Sequence, residues 1–515
     1  MKKKILAIGM AVISALSLFG GCGDDLASAT KRAPDYSSST LQFDFYGYSA
    51  AIDGWNIDGV AYESGNDYKT VERIKEYKDA GMTIYFPQSA APYNGQDFET
   101  SEAKRVMDNC LEAGIDKVIL WDPRIQVLSK PAKENAVGLI GEGKQFATEA
   151  DLDAAIASYM APYKEHEAFY GIMLGDEPFY YHTENYGQVY RSIKRVCPEA
   201  YIQYNLNPIT AGTGINDNGD RNIDVRFPQL VEGDEGYGAK EDSDEELIAR
   251  YKKYLRGFMD ATGASYVQYD QYPFRSADRV DEYYFLGLQV VAEIAKEYDA
   301  EFYFVSQTYG QQEGSYGNPR MLSEADLYWL NNSILGFGIK QVSYFTYFTK
   351  ADNNAEHFID GNSFLTWYGE KTDIYYWMQQ IMAEEQKLAP TILNFEYSTS
   401  KIIMKKPTIF DSSYAVRTIE TKDFTALKEV EVNKEVALVT ELYDDEKDNY
   451  MYMVQNVVDS TRKGSKVYQT ATLTFNSQYK YAVVFVKGER SIQKLNGGKL
   501  TLKHAPGQAT YVIPF

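Results

Sequence analysis

From residue 41 to about residue 390 the chain alternates between two kinds of apolar spacing. Short apolar runs at 41–48, 82–88, 117–122, 170–174, 201–205, 265–270, 301–307 and 341–348 predict strands. Segments with apolar residues three and four apart, at 67–80, 101–113, 149–165, 184–196, 244–261, 277–298, 323–335 and 371–387, predict helices. Pro162 is expected to end the third of these helices early. Ala80-Gly81 and Ala113-Gly114 put glycine where a helix C-terminus favours it, just before an apolar run. Strict alternation of strands with helices predicts an α/β fold whose parallel sheet closes as a (β/α)8 TIM barrel over 41–390. The longest insertion falls between the fifth and sixth strands. Its acid-rich part, 232–246, reads as a solvated loop entering a helix, and its spacing does not match an EF-hand.

After residue 390 the helical period disappears. Runs at 435–442, 450–455, 470–475 and 481–485 are short, β-branched or aromatic, and separated by turn residues. Asn496-Gly497-Gly498 reads as a hairpin turn and 500–515 as a closing strand pair. Together they predict a C-terminal antiparallel, β-sandwich-like domain over 391–515. No constellation in it suggests chemistry, so bracing the barrel is its expected role and glycan binding the alternative.

The N-terminus changes the expected address. Lys2, Lys3 and Lys4 precede an apolar run over 5–19 that exits through Gly20-Gly21, which reads as a secretory signal peptide over 1–21, too short to span a membrane. Leu18-Phe19-Gly20-Gly21-Cys22 resembles a bacterial lipoprotein box. That resemblance implies lipidation of Cys22, a two-chain anchor on the membrane, and an extracytoplasmic location. Residues 22–40 then read as a flexible tether. Loss of the three leader lysines with no acid would take the net charge from -21 to -24. Such a surface repels nucleic acid, and no nucleic-acid partner is expected. Cys110 and Cys197 make no disulfide framework and read as small buried hydrophobes. Four scattered histidines have no metal-ligand spacing, so neither metal nor cofactor is expected.

The candidate chemistry centres on residues 170–181, YGIMLGDEPFYY. An apolar strand stops at Gly175 and delivers Asp176 and Glu177 side by side, and Pro178 forbids the ladder from continuing. Two carboxylates at the end of a buried strand are costly to desolvate, and in a barrel the C-terminal strand ends hold the active site. Hydrolysis of a glycosidic bond takes one carboxylic acid to protonate the leaving oxygen and a second carboxylate to attack or to activate water. Glu177 is the candidate acid, its pKa raised by the charge of Asp176; the alternative is a loop start whose carboxylates are solvated or cap the next helix. Asp270, ending the sixth strand ahead of Pro273, is the candidate second carboxylate, and a structural Asp bonding a neighbouring loop fits it equally. Glu313, in a Gly/Gln/Ser loop, is a further candidate. Asp44 and Asp122, on the first and third strands, fit roles in holding sugar hydroxyls or backbone amides. Asn205 and Asn207 share the parity of Gln203 and would line one face with amides. Trp121, Tyr272, Tyr309 and Tyr347 each fit core packing, and their shared place at strand ends suits stacking on pyranose rings.

Over 41–390 the chain resembles the clan of (β/α)8 glycoside hydrolases that includes family 42 β-galactosidases and family 5. That clan ends its fourth strand in an Asn-Glu pair whose Glu is the acid/base, and Asp176-Glu177 is the matching pair. Its nucleophile is a Glu ending the seventh strand, where this chain has Gln307. The chain is most similar to bacterial family-42-like lipoproteins, marked by Gly175-Asp176-Glu177-Pro178, Asp270 with Tyr272-Pro273, FVSQT at 304–308, Gly336-Phe337-Gly338, YFTY at 344–347 and Asp360-Gly361. The resemblance implies a glycoside hydrolase acting on a poly- or oligosaccharide outside the cell, with Glu177 as general acid/base and Gln307 among the substrate-contacting residues. Gln307 also keeps a second expectation open, a non-catalytic glycan-binding lipoprotein on a degenerate barrel.

Overall fold

The computed structural model describes residues 23–52, 55–57, 60–62, 67–214, 226–274, 280–310, 320–349, 363–366, 368–404, 422–433, 436–459 and 468–515. The leader with Cys22, Glu313 and Asp360-Gly361 lie outside the described residues.

The apolar runs become short parallel strands. These are β1 (Asp44–Gly47), β2 (Val118–Trp121), β3 (Phe169–Asp176), β4 (Tyr201–Asn205), β5 (Tyr266–Asp270), β6 (Glu301–Gln307) and β7 (Ile339–Phe345). They form two parallel sheets, β2-β3-β4 and β1-β7-β6-β5. Their middles are buried, which is why they read as continuous apolar runs rather than as alternation. The predicted run 82–88 forms no regular strand; the chain turns into a 3-10 helix at Gln88–Ala90, straight after Pro87. It still pairs on both sides. Ile84 N–H donates to Phe45 O (3.1 Å), Tyr85 N–H to Lys117 O (2.8 Å), and Ile119 N–H to Tyr85 O (3.0 Å). At the other seam, Leu206 N–H donates to Gln268 O at 2.9 Å. The two sheets are therefore hydrogen-bonded to each other at both seams.

After α1 (Gly23–Arg32), the helices are α2 (Val71–Asp79), α3 (Glu102–Ala113), α4 (Pro123–Ser129), α5 (Glu149–Met160), α6 (Thr183–Val196), α7 (Asp244–Thr262), α8 (Tyr284–Glu297), α9 (Glu324–Gly336) and α10 (Asp373–Ile392). Their ends follow the sequence signals. Thr148 with Asp151 and Ser323 with Asp326 form capping boxes, and Gly114 ends α3 at φ 83°. α5 stops at Met160, two residues before Pro162. No helix among the described residues is long and apolar enough to cross a membrane. Cys110 and Cys197 are both buried, and burial pushes the Cys197 thiol up to about 11.

The C-terminal strands are β8 (Glu396–Met404), β9 (Leu427–Val432), β10 (Val436–Asp444), β11 (Asn449–Asn456), β12 (Gln469–Phe475), β13 (Tyr481–Val486), β14 (Glu489–Lys494), β15 (Lys499–His504) and β16 (Ala509–Pro514). They build two antiparallel sheets, β8-β10-β11-β16-β13-β14 and β9-β12-β15. Alternate residues of the larger sheet serve two cores. Val439, Val454, Val484 and Val512 face the smaller sheet, while Leu438, Met453, Val483 and Ile513 join the core of the preceding helices.

Three local expectations are corrected here. The turn at Asn496-Gly497-Gly498 forms, with Asn496 N–H donating to Lys499 O at 3.0 Å. It does not close a hairpin, because β14 pairs with β13 and β15 with β12. For the same reason 500–515 is no strand pair: β15 and β16 belong to different sheets. A flexible tether over 22–40 also misses the burial of Tyr36. Its hydroxyl donates to Asp444 Oδ2 at 2.5 Å and its ring lies 5.4 Å from that of Phe395.

Candidate active site

The residues that meet at one end of the parallel sheets come from consecutive strands. β3 reaches its end through Gly175, where a Cβ would lie 2.3 Å from the Tyr186 hydroxyl. Asp176 Oδ1 accepts from Asn205 Nδ2, at the end of β4, at 3.0 Å. Glu177 follows with φ 41°, in the left-handed region that a side chain rarely adopts. Its N–H donates to Asn205 O at 2.8 Å. The next carbonyl, Pro178 O, accepts from Asn207 Nδ2 and from the Tyr254 hydroxyl, both at 2.7 Å. These bonds hold the strained turn in place.

Asp270, ending β5, is 4% exposed, and its Oδ1 has no hydrogen-bond partner among the described residues. Burial pushes its pKa well above the usual carboxylate range, and the charges of Glu177 and Asp176 push it the same way. Hydrogen bonds with Tyr272 and Asn205 oppose the shift without cancelling it. Glu177 is in the opposite situation. Its side chain is 40% exposed, and Arg226 Nη1 lies 3.8 Å from Oε2. Arg226 also donates to Asn207 Oδ1 at 3.0 Å and sits 4.4 Å from the Phe179 ring centroid. On the other flank, Lys130 Nζ donates to the Asp176 carbonyl. Burial lowers the Lys130 pKa, and the charges of Asp176 and Glu177 pull it back up.

Three half-buried rings stand beside these groups. Tyr272 stacks on Phe345 at 5.5 Å, and Tyr309 meets Phe345 edge-on at 5.2 Å and Tyr272 at 5.9 Å. Such an arrangement offers a dry carboxyl, a partly exposed one beside a cation, and aromatic faces, which suits a polar ligand with flat apolar faces. Among the described residues no group of three or more His, Cys, Asp or Glu side chains is placed to hold a metal ion.

Glu177, Asp270, Asp176, Asn205, Tyr272 and Tyr309 are thus brought together. Asn207 is fully buried and acts one step back, tying Pro178 to Arg226. Trp121 is half-buried at the end of β2, its indole N–H donating to Gln126 of α4 at 2.9 Å. Other expected contacts are not brought there. Asp44 opens β1, at the opposite end of its sheet, and pairs with Lys117 at 2.8 Å and with the Thr83 hydroxyl at 2.8 Å. Asp122 is wholly buried as the N-cap of α4, bonded to Arg124 through its backbone N–H (3.0 Å) and guanidinium (2.6 Å). Tyr347 lies past the end of β7 and packs against Tyr77 at 4.7 Å. The Gln307 side chain is occupied by backbone. Its Oε1 accepts from Phe274 N–H at 3.1 Å, and its Nε2 donates to Phe274 O and Tyr309 O, both at 3.2 Å. Sequence reasoning missed Lys130, Arg226 and Phe345. Lys130 and Arg226 lie in connections without periodicity, while Phe345 sits inside the quoted FTY run and carried no separate signal.

No protein-family model matches the chain, and no curated protein does. Solved structures to which it is similar are glycoside hydrolases. They include a β-glucuronidase of an uncultured Clostridium sp., 13% identical, with a TM-score of 0.39, covering 67% of this chain and 50% of that one. An Anoxybacillus α-amylase is 10% identical, with a TM-score of 0.45, covering 92% and 97%. A family 30 subfamily 8 xylanase from Clostridium acetobutylicum is 12% identical, with a TM-score of 0.36, covering 93% and 98%. The chain spans about half the length of that β-glucuronidase. At these scores the likeness carries no argument about activity.

Proposed function

We propose that the chain is a glycoside hydrolase that cleaves a poly- or oligosaccharide, with Asp270 and Glu177 as its carboxyl pair. The observation that carries the reading is the contrast between them: a desolvated carboxyl with a raised pKa, within electrostatic reach of an exposed carboxylate beside a cation. Environments that push two carboxyls apart in this way define an acid and its charged partner. The roles expected from sequence are therefore exchanged. Asp270 holds the proton that goes to the leaving oxygen, and Glu177, with Arg226 beside it, attacks the anomeric carbon or activates water. A separation of about 5–5.5 Å in the complex gives retention and about 6.5–9.5 Å gives inversion. Tyr272, Tyr309 and Phe345 stack on the sugar faces. The parallel strands together with 83–86 make a closed (β/α)8 barrel, a reading supported by the hydrogen bonds at Phe45, Tyr85 and Leu206. Cys22 carries the lipid that holds the protein outside the cytoplasmic membrane, a reading supported by the leader sequence.

The test is a panel of chromogenic glycosides against the leader-free protein and its Asp270→Asn and Glu177→Gln variants. Each substitution should lower turnover by about 10²–10⁴-fold while the variant stays folded. Turnover untouched by both changes would remove the pair from the chemistry. The commitment of Gln307 to backbone favours one second reading, a glycan-binding protein without turnover. In that case the panel yields no product, and a glycan array still registers binding.

A further inference from the structure

We propose that a cavity of about 240 Å³, between α9, α10 and the C-terminal sheets, is a binding site for one uncharged monosaccharide. Its floor holds two deeply buried polar side chains. Glu385, on α10, is 6% exposed, and its Oε2 has no hydrogen-bond partner among the described residues. His504, at the end of β15, is 2% exposed; its Nε2 pairs with Thr510 Oγ1 at 2.8 Å, and its Nδ1 likewise lacks a partner among the described residues. A buried polar atom left unpaired is costly, and native proteins retain one where water or a ligand completes it. Here two such groups line the same space.

The chemistry of the occupant follows from the charge of the floor. Burial raises the Glu385 carboxyl well above its usual range, and the Glu384 charge adds to this. Burial also lowers the His504 imidazole to about 4. Burial thus favours the neutral form of both, the carboxyl as an O–H donor and the imidazole as a ring with one donor and one acceptor nitrogen. An ion entering this floor would lose its hydration without gaining a counter-charge. Of the charged groups nearer the opening, Lys487 Nζ donates to the Tyr328 hydroxyl at 2.8 Å, that hydroxyl donates to Glu384 at 2.9 Å, and Lys503 Nζ stands 4.8 Å from the Tyr468 ring centroid. Leu335, Leu388, Val484 and Leu502 give apolar walls for the C–H faces of a ring. The volume equals roughly eight waters at about 30 Å³ each, room for one sugar ring and too little for an oligosaccharide. Solvent reaches it past Val486, Lys487 and Gln493, all exposed. None of these residues belongs to the strand-end site, so the inference does not rest on hydrolysis.

Isothermal titration calorimetry on the full chain carrying Glu177→Gln tests it, with glucose, galactose and xylose as neutral probes and glucuronate as the charged one. At least one neutral sugar should bind with one-to-one stoichiometry, and glucuronate at least about ten-fold more weakly. Binding should weaken by about ten-fold or more in Glu385→Leu. Because that change alters the core, Val486→Trp at the exposed rim is the second variant: it should block the sugar equally and leave the melting temperature unchanged. No neutral sugar bound up to about 10 mM, equal affinity for glucuronate, or affinity preserved in both cavity variants would each overturn the proposal.

Discussion

Asp270 and Glu385 are carboxyl side chains that the fold has taken out of water, and burial raises the pKa of both. For Asp270 the consequence is kinetic. If its protonated form gives the leaving oxygen a proton, kcat/KM should fall as pH rises through its raised pKa. That alkaline limb should vanish from the residual activity of Asp270→Asn; a limb unchanged in the variant would assign it to another group. For Glu385 the consequence is stability. The folded chain holds a proton that the unfolded chain loses near pH 4, so stability should fall as pH rises above that point. Glu385→Gln removes the titration without changing the shape of the side chain. We expect it to stabilise the protein at pH 7 by about 1 kcal/mol and to leave it nearly unchanged at pH 4, measured by urea unfolding. An equal effect at both pH values would mean that the carboxyl is not protonated by burial.

At the scale of elements, one strand end carries the site, while one helix start that was expected there only holds the fold. β3 brings Asp176 and Glu177 to the rim only because Gly175 lets Tyr186 pass close by. Tyr186 is 1% exposed and packs edge-on to Phe258 at 5.4 Å, so its ring has little room to retreat. Gly175→Ala should therefore destabilise by about 1–3 kcal/mol. It should also lower kcat in the protein that remains folded, because the displaced strand carries Glu177. Asp122 presents the contrasting case. Its carboxylate caps α4 and neutralises Arg124, so Asp122→Ala loses a cap and strands a cation. A loss of about 3 kcal/mol is expected in thermal or urea unfolding, with KM unaltered. A raised KM without a stability change would return Asp122 to the sugar.

Over the whole molecule, the six-stranded sheet serves two cores at once, and this ties the C-terminal strands to the helices before them. Trp329 Nε1 donates to Val457 O at 3.0 Å, and Gln455 Nε2 donates back to Trp329 O at 2.8 Å. Arg320 lies buried between Asp326 (2.6 Å) and Asp459 (3.0 Å). Gly507, at φ 78°, approaches α9 so closely that a Cβ would lie 2.2 Å from Ala325 O. Calorimetry should accordingly record a single unfolding transition rather than one for each sheet system. Gly507→Val should lower its midpoint by about 2–4 °C for each kcal/mol lost. Two separated transitions would show that the sheets only touch. These bonds tie the C-terminal strands to α9.

Periodicity along the chain determined the alternation of strands and helices, because apolar spacing is a local record of which face is buried. Pro178 and Pro273, each just past an apolar run, likewise marked two strand ends where carboxyls collect. A strand's two ends look alike in sequence, however, so Asp44 was expected at the rim although it opens β1 on the far side. β7 stops at Phe345, three residues before the predicted end, so Tyr347 does not stand at the strand end that suited it to stacking. Gln307 and Asp122 were legible as polar groups at strand ends. That their partners are Phe274 backbone and Arg124 followed only once the loops had packed. The turn at 496–498 was local and legible, while the sheet each neighbouring strand joins was a matter of long-range pairing. Which carboxyl is desolvated was decided by tertiary structure alone, since burial depends on neighbours far away in sequence: Asp270 is 4% exposed with its pKa raised, and Glu177 is left beside Arg226.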